Sequence, residues 1–566
     1  MTTMLLKNLI SNNKYNLVLN KVSGIAFDSR KIKRGQIFVS IKGKKFNGHD
    51  FVNQAVSKGA SAIVHSHPLI KNKRTLYIKV KDTRSALARL STKFYTNKPN
   101  NIIAVTGTNG KTSIADFFHQ IFTLQNKKVG FIGTLGFKKN KFLKKRYLTT
   151  LDSLSLNKDL AEMKKAGIEN VIIEASSHGL KQKRLDFLKI KAGLFTNLSH
   201  DHLDYHKNMN DYFKSKLILF KKILKRKSTI ITDADIKQYK ILKKIQNKRK
   251  LKIFTIGSKS NILKIISHKI YNNFQILEIK YKNKNYKLKI NLYGSIQIKN
   301  LLMAIIASKV CGLKIESIFK KIDKIKSVDG RLELIKTLPN KSKIFLDYAH
   351  TPDALETAIK SLGEHFQKKI TVIFGCGGER DKKKRKLMGN IAGKYCEKIY
   401  ITDDNPRNEN PKKIRRDIMK GLKGTDAKEI ENRRNAINYA LANSDPHEVI
   451  LIAGKGHETF QDLGKKRIFL SDKAIINKFK SLKLSSSKNF NNLKYNSNIL
   501  KILLKSKKDY FFDGVSINSK QIKNKNLFVA IIGKKKDGHK FLKEAIKNGA
   551  SYVVISKKFK KKKKIN

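Results

Sequence analysis

Short apolar runs that stop at a small or polar turn recur along this chain, separated by stretches with apolar residues at three- and four-residue spacing. NIIAVTG (101–107), KKVGFIGT (127–134), NVIIEAS (170–176), AGLFTNL (192–198) and STIITDA (228–234) read as buried parallel strands, interleaved with helical patterns such as IADFFHQIF (114–122). The alternation predicts an α/β fold with a mostly parallel, doubly wound sheet over 99–335. KIFLDYA, KITVIFG, KIYITDD and EVILIAGKG repeat the style over 336–480, and residues 1–98 alternate shorter strands and helices up to the turn TNKPN. Such sheets bind ligands at the carboxyl ends of their strands, so the turns after these runs are where chemistry is expected.

The pattern then breaks. SLKLSSSKNFNNLKYNSN (481–498) is polar and reads as a flexible linker. Beyond it, over 499–566, the chain repeats itself. The stretch from Gly24, GIAFDSRKIKRGQIFVSIKGKKFNGHDFVNQAVSKGASAIVHS, returns from Gly514 as GVSINSKQIKNKNLFVAIIGKKKDGHKFLKEAIKNGASYVVIS, without gaps at an offset of 490. Phe38/Phe528, Gly48/Gly538, His49/His539 and Gly59/Gly549 fall in one register, which marks an internal repeat of one domain.

Charge changes the picture less than its size suggests. There are 123 Lys and Arg against 43 Asp and Glu, a formal net charge of +80. Lysines are spread through almost every segment with abundant Asn and Ile, and Trp is absent, which is how a compositionally biased gene spells solvated faces. The charge still draws anionic substrates. Cys311, Cys376 and Cys396 form no C-x-x-C pair, so buried thiols are expected rather than disulfides or zinc. With no long apolar segment at the start or elsewhere, a cytoplasmic monomer without signal peptide, membrane span or nucleic-acid partner is expected.

Candidate chemistry begins at VTGTNGKTS (105–113). Strand, glycine turn and helix point backbone N–H groups and a helix N-terminus at an anion; Lys111 adds charge and Thr112 a hydroxyl for Mg²⁺. The usual G-x-x-x-x-G-K-[ST] form would place glycine where Val105 stands. Glu174 ends another strand, where a Mg²⁺ ligand complementing Thr112 is needed, and the His/Asp-rich TNLSHDHLDYH (196–206) follows.

TGTNGKT, EASSHGL, TNLSHDHLDYH, GRLE, LDYAHTPDAL, DNPR and GKGHE, in this order, resemble the Mur ligases of peptidoglycan synthesis over about residues 20–475, and within them the branch that adds the third amino acid. The resemblance implies an N-terminal UDP-binding domain, a central P-loop ATPase and a C-terminal Rossmann-like domain that brings the amino acid, here followed by a repeat of the first. It implies ATP binding through Gly107, Thr108, Asn109, Gly110, Lys111 and Thr112, completed by Asn300, Arg331 and Asp347 across a boundary that must close for catalysis. SIQIKN (295–300) departs from the family pattern in placing Gln297 where Asn is usual. FDSR (27–30) resembles the uridine-binding turn, which carries over Ser29. Thr149, Thr150, Ser176, Gln182 and Arg184 match positions that hold the muramoyl peptide and its diphosphate. Lys216 matches a lysine that the family carbamylates, turning a cation into a carboxylate-like Mg²⁺ ligand beside His202.

The implied reaction passes the γ-phosphoryl of ATP to the D-Glu side chain of UDP-N-acetylmuramoyl-L-alanyl-D-glutamate, and the amine of meso-diaminopimelate displaces phosphate. Lys111, Glu174, His202 and Lys216 are the catalytic set. Arg380 and Arg407 would take the distal carboxylate of the acceptor, Asp404 and Glu458 its ammonium, with Asn405 and Gly454 completing the pocket. L-lysine is the alternative acceptor, and relatives that use it lack the arginine clamp. A nucleic-acid-dependent ATPase and a folate-polyglutamylating ligase are rivals, the first leaving DNPR unexplained and the second lacking an FDSR domain. The tail resembles the start of the next ligase of the series, fused and cut short, and is expected to be dispensable, with a scaffold for that ligase as the alternative.

Overall fold

In the computed structural model the described residues are 4–5, 21–43, 46–69, 75–139, 142–144, 148–422, 424–479, 495–496, 511–512, 514–532 and 537–556. They divide into two compact units, Met1–Ser481 and Leu482–Asn566. The expected linker, apart from residues 495–496, and the terminal lysine run lie outside the described residues.

Among the described residues the first unit holds three large sheets and two two-stranded ribbons. Gly24–Ala26, Gln36–Val39, Ala62–His65 and Leu76–Lys79 pair in parallel in that order. Period-2 alternation sends Ile25, Ile37, Val39 and Val64 to one face, where the helix Thr83–Phe94 lays Leu87, Leu90 and Phe94 against them. Ala26, Phe38 and Ile63 face the other way, toward the helix Val52–Ser57.

The central sheet has eleven strands. Its parallel middle runs Val129–Gly133, Asn170–Glu174, Asn101–Thr106, Ala192–Phe195, Thr229–Asp233, Lys252–Gly257, Leu263–Tyr271, with antiparallel strands added at both edges. The edge hairpins over 263–290 are a finding that the apolar runs did not anticipate, because their alternating residues, as in LEIKYKNKNYKLKI, are half solvated rather than buried on both faces. The helix Lys111–Leu124 is buried on nearly every side, with Ile114, Phe117, Phe118, Ile121 and Phe122 in one core. Strand order reverses about Asn101–Thr106: the chain leaves it for strands on one side, then returns to Ala192–Phe195 on the other. Connections diverge there and leave a crevice at the strand ends, which carry Gly107 and Glu174.

The third sheet runs Glu333–Thr337, Lys343–Asp347, Val449–Ala453, Ile370–Phe374, Cys396–Ile401, Ala427–Glu429, parallel but for the first strand. Its carboxyl ends deliver Asp347, Gly375, Thr402 and Gly454 to one rim. The cysteines are unpaired, and burial pushes the thiols of Cys311 and Cys396 up to about 12 and that of Cys376 to about 11.

Candidate active site

A cleft of about 220 Å³ lies where the glycine turn meets residues 331–358, lined by Thr108–Ser113, Asn300, Arg331, Asp347 and Tyr348 among others. Gly107 has φ +148°, and a Cβ there would fall 1.7 Å from Thr196 Oγ1, so the turn closes only around glycine. Asn197 holds it from below, accepting from Thr108 N through its carbonyl (3.1 Å) and from Asn109 N through Oδ1 (2.9 Å). Gly110 then caps the helix Lys111–Leu124 in a left-handed conformation.

Lys111 folds back on this turn, donating to the carbonyls of Gly107 (2.9 Å) and Thr108 (2.7 Å). Lys216, 1 % exposed and from the helix Met209–Ile218, reaches the same Gly107 carbonyl at 2.7 Å with its amine 4.2 Å from the centre of the Tyr212 ring. Burial, then the Lys111 charge, hold the Lys216 amine well below its ordinary range, and burial lowers Lys111 as well.

Glu174 is fully buried, and burial raises its carboxyl above the usual range. It accepts from Thr112 Oγ1 (3.1 Å), Thr134 Oγ1 (3.0 Å) and Thr134 N (2.9 Å). Arg331, just before the third sheet's first strand, reaches across to donate to Thr112 Oγ1 (3.2 Å) and stacks on Tyr348 at 4.4 Å, while its Nη1 is buried without a partner. An unsatisfied cationic donor in a cleft lined by backbone amides is complementary to a polyphosphate. Asp347 is spent locally, accepting from Leu332 N and Ala349 N at 2.7 Å each. Asn300 lies against Gly110 and donates to Gln297 Oε1 (3.3 Å), so the residue that departs from the family pattern supports the one that keeps it.

Thr112 lines the cleft, and its hydroxyl and the buried Glu174 carboxylate, 3.1 Å apart, are hard oxygen donors of the kind that fit Mg²⁺. Among the described residues, no three His, Cys, Asp or Glu side chains gather into a cation-binding group. His202, with its imidazole pushed down to about 4 by burial, sits 3.2 Å from Asp201 and 4.9 Å from the ring of His178.

Next to Glu174, Thr150 Oγ1 donates to the Glu174 carbonyl (2.7 Å) and lies 3.0 Å from Ser176 Oγ, which accepts from Gly179 N (3.1 Å). Thr149 Oγ1 lies 3.2 Å from Thr134 Oγ1, which can accept its proton. Arg184 bonds the Thr150 carbonyl and Gln182 Oε1 (2.8 Å). These five predicted residues therefore form one network. Ser29 stands elsewhere, in the first sheet's 3₁₀ turn, buried and donating to Gln54 Oε1 at 2.6 Å.

The residues expected to take the acceptor also converge. Arg407 donates to the Gly378 carbonyl (2.6 Å), and a Cβ on Gly377 would lie 2.9 Å from Arg407 Nη1 and 3.9 Å from Arg380 Cγ, so both arginines flank one glycine pair. Gly454 brings the backbone to Asp404, where a Cβ would meet Oδ2 at 2.7 Å. Asn405 donates to Glu458 Oε2 (3.0 Å). Sequence reasoning missed Lys455, which is fully buried and donates to Asn405 Oδ1 (3.1 Å), Glu458 Oε2 (3.1 Å) and the Phe460 carbonyl (2.6 Å). It missed Thr134 and Tyr348 as well, although each directly follows a strand end already read as a turn.

Three family models cover this architecture: the Mur ligase middle domain over 105–308, the Mur ligase glutamate ligase domain over 330–456, and the Mur ligase family catalytic domain twice, over 21–95 and 512–565. The chain is 38% identical over 470 residues to the UDP-N-acetylmuramoyl-L-alanyl-D-glutamate--2,6-diaminopimelate ligase of Rickettsia montanensis, covering 81% of this chain and 96% of that one. The chain belongs to the Mur ligase family. It is thereby an ATP-dependent amide ligase of peptidoglycan precursor synthesis, and the repeat read from sequence is a second match to the model of the first domain. A ligase of the same description numbered 2, from Clostridium acetobutylicum, is 37% identical over 84% of this chain and 99% of its own. A solved structure of a diaminopimelate ligase is 29% identical with a TM-score of 0.62, covering 84% of this chain and 98% of that one. Among the described residues of this Mur ligase, no helix is long and apolar enough to cross a membrane.

Proposed function

We propose that this ligase joins meso-diaminopimelate to UDP-N-acetylmuramoyl-L-alanyl-D-glutamate through an acyl phosphate. The observation that carries the acceptor assignment is the split charge of the pocket: the Arg407 guanidinium against Gly377 with the stem of Arg380 next to it, Asp404 against Gly454, and Glu458 held by Asn405. A diamino-dicarboxylate presents a distal carboxylate and ammonium to match, whereas L-lysine leaves the arginines without a partner.

In this reading the backbone amides of the 107–112 turn, Lys111 and the free Nη1 of Arg331 bind the phosphates of ATP. Mg²⁺ held by Thr112 and Glu174, with His202 and a carbamylated Lys216 near a second ion, would neutralise charge during phosphoryl transfer. The network of Thr149, Thr150, Ser176, Gln182 and Arg184 binds the muramoyl peptide and aims the D-Glu carboxylate at the γ-phosphorus, and Ser29 contacts uridine. A carboxylate oxygen attacks phosphorus and ADP leaves; the acceptor amine then attacks the acyl carbon, loses a proton, and phosphate departs with that oxygen.

The test is incubation with ATP, the UDP-muramoyl dipeptide carrying ¹⁸O in the D-Glu side-chain carboxylate, and a panel of amino acids. Amide product with diaminopimelate and ¹⁸O in the released phosphate are expected. Equal turnover of L-lysine, or unlabelled phosphate, overturns the corresponding half of the proposal.

A further inference from the structure

Lysines stand mostly on solvated faces of this chain, and among the described residues only Lys216 and Lys455 lose essentially all exposure, at 1% and 0%. Lys216 stands at the glycine turn. Lys455 stands two residues past the strand Val449–Ala453 and is not among the groups the ligase reaction uses. An ammonium taken out of water needs a partner for each of its protons, and this one has three. Its Nζ donates to Asn405 Oδ1 (3.1 Å), Glu458 Oε2 (3.1 Å) and the Phe460 carbonyl (2.6 Å).

Two of those partners belong to the acidic side of the acceptor pocket. Glu458 Oε2 receives both Lys455 Nζ and Asn405 Nδ2 (3.0 Å), whereas Glu458 Oε1 takes no hydrogen bond among the described residues and the side chain stays 21% exposed. Asn405 Oδ1 receives Lys455 Nζ and Asp462 N (2.9 Å), which fixes the end of its amide that faces Glu458. The bond to Phe460 ties down the strand Phe460–Asp462, whose other residues hold the 404–407 turn: Gln461 Nε2 donates to the Asp404 carbonyl (2.6 Å), and Arg407 N to the Asp462 carbonyl (3.0 Å).

We propose that Lys455 is a positioning residue for acceptor recognition, holding one oxygen of Glu458 so that the other is presented to the distal ammonium of the acceptor. The proposal rests on the reading above that Glu458 receives that ammonium. Lys455 contributes charge as well as direction, because a partly buried carboxylate without a balancing cation is driven toward its protonated form, which no longer attracts an ammonium.

The test compares the full-length enzyme with Lys455→Met, Glu458→Gln and the double variant, measuring KM for meso-diaminopimelate and the inhibition constant of 2-aminopimelate, which lacks the distal amine. Lys455→Met should raise the first by about tenfold or more and the second by no more than about twofold, as expected for loss of a charge-assisted bond to the missing group. Glu458→Gln should show the same split. The double variant should match Glu458→Gln within about twofold, and because it leaves no unpaired buried charge it gives a reading even where Lys455→Met folds poorly. Unchanged constants in a folded Lys455→Met, equal rises for the two ligands, or a further rise in the double variant would overturn the proposal. Unchanged constants in Glu458→Gln would overturn the role of Glu458 in the acceptor reading as well. Should the wild-type enzyme use L-lysine, the diaminopimelate assignment fails by itself, and the same comparison of L-lysine with norleucine, which lacks the distal amine, decides the role of Lys455.

Discussion

Lys111 and Lys216 donate to one acceptor, the carbonyl oxygen of Gly107, at 2.9 and 2.7 Å. Burial lowers both amines, and the Lys111 charge lowers Lys216 further. A neutral amine is the nucleophile that carbon dioxide requires, and burial with the neighbouring Lys111 charge shifts Lys216 in that direction.

Lys216→Ala should therefore abolish nearly all ligase activity, with partial recovery in millimolar-range short carboxylates that stand in for a carbamate. Steady-state rates with and without acetate measure this. Full activity of the alanine variant would sink the assignment.

Arg407→Ala should raise KM for meso-diaminopimelate by about ten- to a hundredfold, since a charge-assisted arginine–carboxylate bond contributes roughly 1.5–3 kcal/mol. KM for ATP should change little. A comparable rise in both would mean that the substitution disturbs the DNPR turn rather than one contact.

Thr134→Val removes a hydroxyl that orients Glu174 at 3.0 Å while sparing the bond from Thr134 N. Groups that orient metal ligands typically matter by ten- to a hundredfold, so the Mg²⁺ concentration for half-maximal activity should rise by about tenfold. An unchanged Mg²⁺ dependence would remove Glu174 from the metal site.

His365 is buried between Tyr293 and Phe366, and burial pushes its imidazole from the ordinary 6.5 down to about 4. Its folded value lies below the unfolded one, so the unfolded chain takes up the proton first. Stability is then lost as pH falls from about 6.5 toward 4 and levels off below, on the order of 1 kcal/mol per pH unit within the window. His365→Phe should flatten the fall in thermal midpoint over that range; a parallel curve would count against it.

Truncation after residue 480 should leave the ligase rate within a few-fold and the main thermal transition in place, because the chain divides into compact units at Ser481 and Leu482. A larger loss of activity would make the repeat part of the working enzyme.

Much of this protein was legible in one dimension because its determinants are local. Buried parallel strands announce themselves as apolar runs, and a glycine turn between such a run and a helical pattern marks an anion cradle. The repeat, too, is a property of sequence alone. Solvated edge strands over 263–290 were less legible, since alternating Ile and Lys gives no buried run. What only tertiary structure decided is which polar groups have partners. Lys455 looks like any of the many lysines in this chain until it is found buried between Asn405 and Glu458. Arg331 and Thr112 are 219 residues apart, and their 3.2 Å contact depends on how the third sheet meets the second. Likewise Val515 and Ile25 occupy equivalent positions in two copies of one pattern, yet one is exposed and the other closed off, because burial depends on what packs against a strand and not on the strand's own residues.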